Sequence, residues 1–114
     1  MVKAYPPKPV SCGVFLSYRC TCSCRHCMYA CSPKWTSDWI SEPDLRKILS
    51  QLSDKIIPSP YGENSVGVNY GLHFTGGEPF LNYSLLVRAV ELAEEYDIPS
   101  VFVETNSFWC ANPE

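Results

Sequence analysis

Residues 70–97 read YGLHFTGGEPFLNYSLLVRAVELAEEYD, and this stretch decides the fold. Its first part, YGLHFT at 70–75, is short and rich in apolar and aromatic residues, as a strand is, and it runs straight into the helix-incompatible break GGEP. From Asn82 the period changes: Leu86, Val90, Ala93 and Tyr96 recur as one apolar stripe, with Glu91, Glu94 and Glu95 on the wet side. Asp97 and Pro99 end that helix, and SVFVETN at 100–106 reads as another strand.

The same unit stands upstream. GVFLSY at 13–18 predicts a strand, and TSDWISEPDLRKILSQLSDKI then places Leu45, Ile48, Leu49, Leu52 and Ile56 on one helix face. Ser41 is suited to the N-cap with Asp44 in a capping-box arrangement, and Pro43 is tolerated in the first turn. The loop IPSPYGENSVGVN separates that helix from the second strand. Strand, helix, strand, helix, strand argues an α/β fold with a parallel βαβαβ sheet. Functional groups of such sheets collect at the C-terminal strand ends.

With 114 residues, 46% of them hydrophobic, the chain is expected to form one small domain. The formal charge of −3, with acids and bases interspersed, offers no basic run for a phosphate backbone, so nucleic acid is not an expected partner. The opening MVKAYPPKPVSCG lacks an apolar run of signal-peptide length and no segment approaches a membrane span, so the expected location is the cytoplasm, with no membrane partner. Seven cysteines in a reducing compartment read as metal or cluster ligands rather than as a disulfide framework.

Five of the seven fall in YRCTCSCRHCMYAC, at the end of the first predicted strand: Cys20, Cys22, Cys24, Cys27 and Cys31. A structural zinc site wants four ligands, and the Cys24–Cys27 pair has no second C-x2-C downstream, so zinc would have to recruit Cys20, Cys31 or His26 from the same loop. Cys20, Cys24 and Cys27, spaced C-x3-C-x2-C, are a second ligand set, suited to an iron-sulfur cluster with one iron left open.

CTCSCRHC, followed by a strand into GGEP and a strand ending in ETN, resembles the radical S-adenosylmethionine (SAM) superfamily over roughly residues 13–107. The resemblance implies that Cys20, Cys24 and Cys27 hold a [4Fe-4S] cluster whose open iron is chelated by SAM. It implies that Gly76, Gly77, Glu78 and Pro79 bind the SAM amino group, that His26 packs near the adenine, and that Asn106 lies beside SAM. The chemistry is sensible: an ammonium group needs carbonyl and carboxylate acceptors, and glycines let the backbone approach. No residue of the chain is assigned a catalytic role beyond cofactor binding. Ser107 stands where many relatives have glycine, in a turn where serine tolerates positive φ less well.

The resemblance further implies reductive cleavage of SAM to a 5′-deoxyadenosyl radical that abstracts hydrogen from a substrate, with an external electron donor. The fold it implies is about half of a (β/α)6 partial TIM-like barrel. Residues 1–12 are then an N-terminal extension, and 13–114 the N-terminal half of a core domain, as a truncated chain or split subunit whose missing half or partner covers a sheet edge. Two other readings stay open: an iron-sulfur electron carrier, needing a fourth ligand such as Cys31, and a zinc-binding structural module. Cys12, Cys22, Cys31 and Cys110 have no place in the family's pattern. His73 falls on the strand face opposite Leu72 and Phe74, where a satisfied core histidine is expected.

Overall fold

A computed structural model describes residues 3–5, 9, 11–58, 60–61 and 71–111. The elements follow in the order β1 (Ser11–Phe15), α1 (Glu42–Leu52), β2 (Gly71–Thr75), a 3-10 turn (Pro79–Asn82), α2 (Tyr83–Glu95), β3 (Val101–Val103) and a second 3-10 turn (Phe108–Ala111). The three strands form one parallel sheet in the order β1-β2-β3, with Gly13 opposite His73 and His73 opposite Phe102. The α/β class with a parallel βαβ arrangement is therefore as the residue pattern indicates.

Each helix begins where its side chains cap it. Ser41 Oγ accepts from the Asp44 amide at 3.3 Å, satisfying one of the free N–H groups of the first turn of α1. Asn82 Oδ1 accepts from the Leu85 amide at 3.2 Å and starts α2. At the far end Asp97 takes a positive φ of 52°, which turns the chain toward β3.

Both helices cover one face of the sheet. Arg88 of α2 donates to Glu42 of α1 at 3.0 Å, and Arg46 of α1 lies 3.6 Å from Glu95 of α2, so the helices lie side by side. Sequential strands with both crossover helices on one face make a singly wound sheet. Beneath the helices, Val14, Leu16, Leu72 and Phe74 meet Leu45, Leu49, Leu86, Ala89, Leu92 and Ala93 in one buried cluster. Full burial of each large side chain there stabilises the fold by about 1.5–3 kcal/mol.

Period-2 alternation sends the other residues to the uncovered face. There His73 stacks on Phe102, ring centroids 5.0 Å apart, and Gly13 leaves the room it needs, since a Cβ at Gly13 would come within 2.5 Å of His73 Nε2. His73 lies opposite Leu72 and Phe74 as the alternation requires, but it is not a satisfied core histidine. Its Nδ1 is buried without a partner among the described residues, and its Nε2 lies 3.8 Å from Glu104 Oε1.

Four boundaries differ from expectation. β1 starts at Ser11, not Gly13, taking in the end of the expected 1–12 extension, and it closes at Phe15: the Leu16 amide still donates to the Thr75 carbonyl, but the Leu16 carbonyl turns away to accept from the Ile40 amide. β3 spans only Val101–Val103; the Glu104 amide still donates to the Phe74 carbonyl at 3.0 Å, and Thr105 and Asn106 then turn to Glu78. The helix that begins at Asn82 in the sequence pattern opens with a 3-10 turn, and Val90 lies outside its buried stripe, 40% exposed, while Ala89 and Leu92 take the core positions. Tyr70 and most of the loop 57–69 fall outside the described residues.

Candidate functional site

The three strand-end segments meet at one edge of the sheet. The first leaves β1 and is tied down at once: Ser17 Oγ donates to Asp38 Oδ1 at 2.7 Å, and the Tyr18 amide donates to Asp38 Oδ2 at 2.6 Å. The Ser32 amide donates to the Tyr18 carbonyl and the Cys20 amide to the Ser32 carbonyl, both at 3.2 Å. Residues 20–31, with all five clustered cysteines, thus form a loop pinched at its base. Inside it, Cys27 N–H donates to the Cys24 carbonyl and Ala30 N–H to the Cys27 carbonyl, giving two short turns in succession.

The second segment is GGEP. Gly77 N–H donates to the Ser17 carbonyl and Glu78 N–H to the Arg19 carbonyl, each at 2.8 Å, which joins this turn to the base of the cysteine loop. The contact is backbone against backbone. A Cβ at Gly77 would fall on the Arg19 carbonyl oxygen and one at Gly76, where φ is +133°, on the Ser17 carbonyl oxygen, so only glycine fits at either position.

Glu78 turns inward and is 1% exposed. Its Oε1 accepts from Thr105 Oγ1 at 2.7 Å and from the Phe80 amide at 3.2 Å, and its Oε2 accepts from the Asn106 amide at 2.7 Å. Buried charge is tolerated when donors surround it, and here they come from two different segments. The carboxylate is a clip between the β2 and β3 ends, and Pro79, also buried, starts the 3-10 turn behind it.

Asn106 completes the junction. Its Nδ2 donates to Thr21 Oγ1 at 2.9 Å, to Cys20 Sγ at 3.7 Å and to Cys22 Sγ at 3.9 Å. Its Oδ1 accepts from the Phe108 amide at 3.1 Å. Ser107 takes the positive φ expected of a glycine, 60°, held by its amide donating to Thr105 Oγ1 at 3.0 Å. His26 is exposed on the cysteine loop, Cys110 is exposed on the last 3-10 turn, and Cys12 is half-buried in β1, where burial pushes its thiol up.

The thiols influence one another. Hydrogen bonds from the backbone at Cys31 and Tyr29 hold Cys27 below the usual thiol value of 9.0, the mark of a stabilised thiolate. Burial pushes Cys31 up to about 11, helped by its hydrogen bond with Cys27. Cys24 is raised by desolvation and then by the charges of Cys22, Cys20 and Cys27, which a shared soft metal would relieve. Among the described residues no three metal-ligating side chains are gathered closely enough to hold a single ion, whereas a four-iron cube takes its cysteine sulfurs from positions set further apart. The donor set fits a thiolate-held cluster: Cys20, Cys24 and Cys27 lie on one pinched loop, with an amide from Asn106 already directed at the Cys20 sulfur.

Two parts of this assembly carry no sequence signal. Asp38, which brackets Ser17 and Tyr18, belongs to no recognisable motif. The link from Asn106 to Cys20 spans 86 residues and follows only from the sheet order. Among the described residues no helix is long and apolar enough to cross a membrane.

A sequence profile of the family described as 4Fe-4S single cluster domain matches residues 9–111. The chain is also 29% identical over 97 residues to YydG of Bacillus subtilis (strain 168), whose name suggests a role in peptide biosynthesis. That alignment covers 85% of this chain and 26% of the relative, so the chain spans about a quarter of the length of the curated relative it matches.

Proposed function

Because the chain belongs to the 4Fe-4S single cluster domain family, and is thereby related to the radical SAM proteins, we propose that it binds SAM on a [4Fe-4S] cluster held by Cys20, Cys24 and Cys27. The observation that carries this reading is Asn106: its backbone is held by Glu78 of GGEP while its side chain donates to Cys20 and Cys22. Three strand-end motifs far apart in sequence are joined by that one residue. A zinc knot or an electron carrier would need the cysteines alone.

Cys20, Cys24 and Cys27 would hold the cluster, which would supply the electron for reductive cleavage of SAM to methionine and a 5′-deoxyadenosyl radical. The chain's own residues bind and orient. The Cys27 thiolate, stabilised by backbone amides, is the ligand most readily formed, and the Asn106 amide tunes the sulfur of Cys20. Because the Glu78 carboxylate faces inward, its part in binding the SAM amino group is to hold the turn, whose carbonyls are the acceptors on offer. His26, exposed on the loop, is the flat ring available to the adenine.

The substrate we propose is a peptide, on the strength of the relative's name. Residues 13–114 act as the N-terminal half of a larger core domain of barrel type, working in the cytoplasm with an external electron donor. Supporting this, β3 ends the described sheet, and an apolar groove of about 340 Å³ lies beside it, lined by residues that include Phe80, Val87, Val90 and Val103. A further strand and helix, from a continuing chain or a partner, would cover both.

The test is anaerobic reconstitution with iron and sulfide, followed by metal and sulfide analysis of single variants. Cys20→Ser, Cys24→Ser and Cys27→Ser are each expected to lose the cluster, while Cys22→Ser and Cys110→Ser retain it. Stoichiometric zinc in a folded chain with no cluster overturns the reading.

A further inference from the structure

The cysteine loop has a second face that the cluster does not use. Tyr18, Met28, Tyr29, Ala30, Trp35 and Asp38 line a depression of about 580 Å³, and no cysteine is among them. Its walls are aromatic and built as a unit. Phe15 of β1 stacks against Tyr18 with centroids 5.6 Å apart and meets Tyr29 edge-on at 4.5 Å, and Tyr18 lies 6.0 Å from Trp35. Trp35 is held by its indole N–H donating to the Ala30 carbonyl at 3.2 Å. Three of these rings are nonetheless between 42% and 47% exposed, and Met28 is 84% exposed. So much aromatic surface, fixed in place and turned to water beside a carboxylate, has the makings of a recognition site.

The carboxylate identifies the occupant. Asp38 accepts from Ser17 at one oxygen, from the Tyr18 amide at the other and from its own backbone amide, which leaves at least one lone pair of the carboxylate free. Among the described residues no ion pair reaches it, and Arg19 acts on it only from beyond 4 Å. Partial desolvation opposes its charge, but the hydrogen bonds from Ser17 and the Tyr18 amide hold the carboxyl below its ordinary range, so it is an anion at neutral pH. Aromatic faces attract cations, and a carboxylate beside them completes the charge match. The walls suit a hydrocarbon stem, and the volume exceeds that of one side chain, leaving room for the backbone that bears it.

We propose that the Tyr18–Tyr29–Trp35–Asp38 depression is a binding site for a lysine or arginine side chain of a peptide. It rests on the reading of this protein as a peptide-handling member of its family and adds what that peptide must carry. The stem of the cationic residue lies along Tyr18 and Trp35, its head meets Asp38, and Met28 lies against the flanking residues. Because Tyr18 and the cysteine loop share one hydrogen-bonded base, a peptide held there is anchored on the same rigid frame as Cys20.

The experiment uses the full chain, anaerobic and reduced, both as isolated and cluster-loaded. Blocked tripeptides with lysine, arginine, norleucine or glutamate at the centre are titrated while the indole N–H resonance of Trp35 is followed by NMR. Lysine and arginine peptides are expected to shift it, with the norleucine peptide about five- to tenfold weaker and the glutamate peptide weaker still. Tyr29→Leu, which leaves the Asp38 hydrogen bonds in place, is expected to weaken the lysine peptide by a similar factor, with Asp38→Asn as the companion variant. Equal binding of norleucine and lysine, no response at roughly tens of millimolar peptide, or displacement of the lysine peptide by SAM overturns the proposal. None of these outcomes alters whether the chain holds a cluster, so the two readings fail separately.

Discussion

Replacing Glu78 by glutamine tests the junction at its centre. The carboxylate accepts from Thr105 Oγ1 and the Asn106 amide at 2.7 Å each, and from the Phe80 amide at 3.2 Å, in a site only 1% exposed. Glutamine keeps one acceptor oxygen and turns the other into a donor. Whichever way the amide is placed, a backbone N–H of Asn106 or of Phe80 then faces an NH2 group. Losing a hydrogen bond to a charged acceptor and stranding a buried donor costs about 2–4 kcal/mol. A domain of this length is stable by roughly 6–17 kcal/mol, so that loss is a large part of the total. At about 4 °C per kcal/mol the thermal midpoint followed by far-UV circular dichroism falls by about 8–16 °C. The side-chain amide of Asn106 should shift in the same sample, because its backbone anchor has gone. A midpoint lowered by less than about 2 °C, with Asn106 unmoved, refutes the assignment of Glu78 as the clip between GGEP and the β3 end.

Three other changes test neighbouring parts. Gly77→Ala puts a methyl group onto the Arg19 carbonyl and must push the GGEP turn off the cysteine loop, at a cost of about 3 kcal/mol or more in a urea melt; Gly13→Ala meets only the His73 ring and costs less. Ser107→Gly relieves a left-handed serine at φ 60° and is expected to add about 0.5–1 kcal/mol, read as a midpoint raised by about 2–4 °C. Asp38 has its folded-state carboxyl below the ordinary 3.8, so its contribution is fully present above 3.8 and is lost as the pH falls from there through the lower folded-state value; Asp38→Asn should flatten the acid limb of the stability curve and leave the alkaline limb as it was.

The sheet was legible because period and punctuation agree. Leu45, Leu49, Leu86 and Ala93 fall in the core as their spacing requires, and Ser41 caps α1 by accepting from the Asp44 amide, as the capping-box pattern suggests. Strand ends were less legible. Parallel pairing, not composition, decides where β1 closes and β3 stops, and pairing depends on residues dozens of positions away. Val90 left the buried stripe because α2 is rotated so that Ala89 and Leu92 meet the sheet, a choice that small side chains permit but spacing alone does not reveal.

The site shows the same division. The cysteine spacing, the paired glycines and the asparagine were visible, but what the glycines do was not. They were expected to let a ligand approach, and in the structure the carbonyls of Ser17 and Arg19 occupy the space where a Cβ would be. Likewise Glu78, read as an acceptor for an ammonium group, is engaged by Thr105 and Asn106. Ser107 shows the converse: serine was expected to resist a left-handed turn, and a hydrogen bond to Thr105 holds it there.

The central claim is that Cys20, Cys24 and Cys27 leave one iron open for SAM. Electron paramagnetic resonance of the reconstituted, reduced chain, recorded with and without SAM, tests it most directly. A reduced [4Fe-4S] signal is expected whose line shape changes when SAM is added and stays unchanged with 5′-methylthioadenosine, which lacks the amino and carboxylate groups that would chelate the open iron. A cluster signal indifferent to SAM would contradict it.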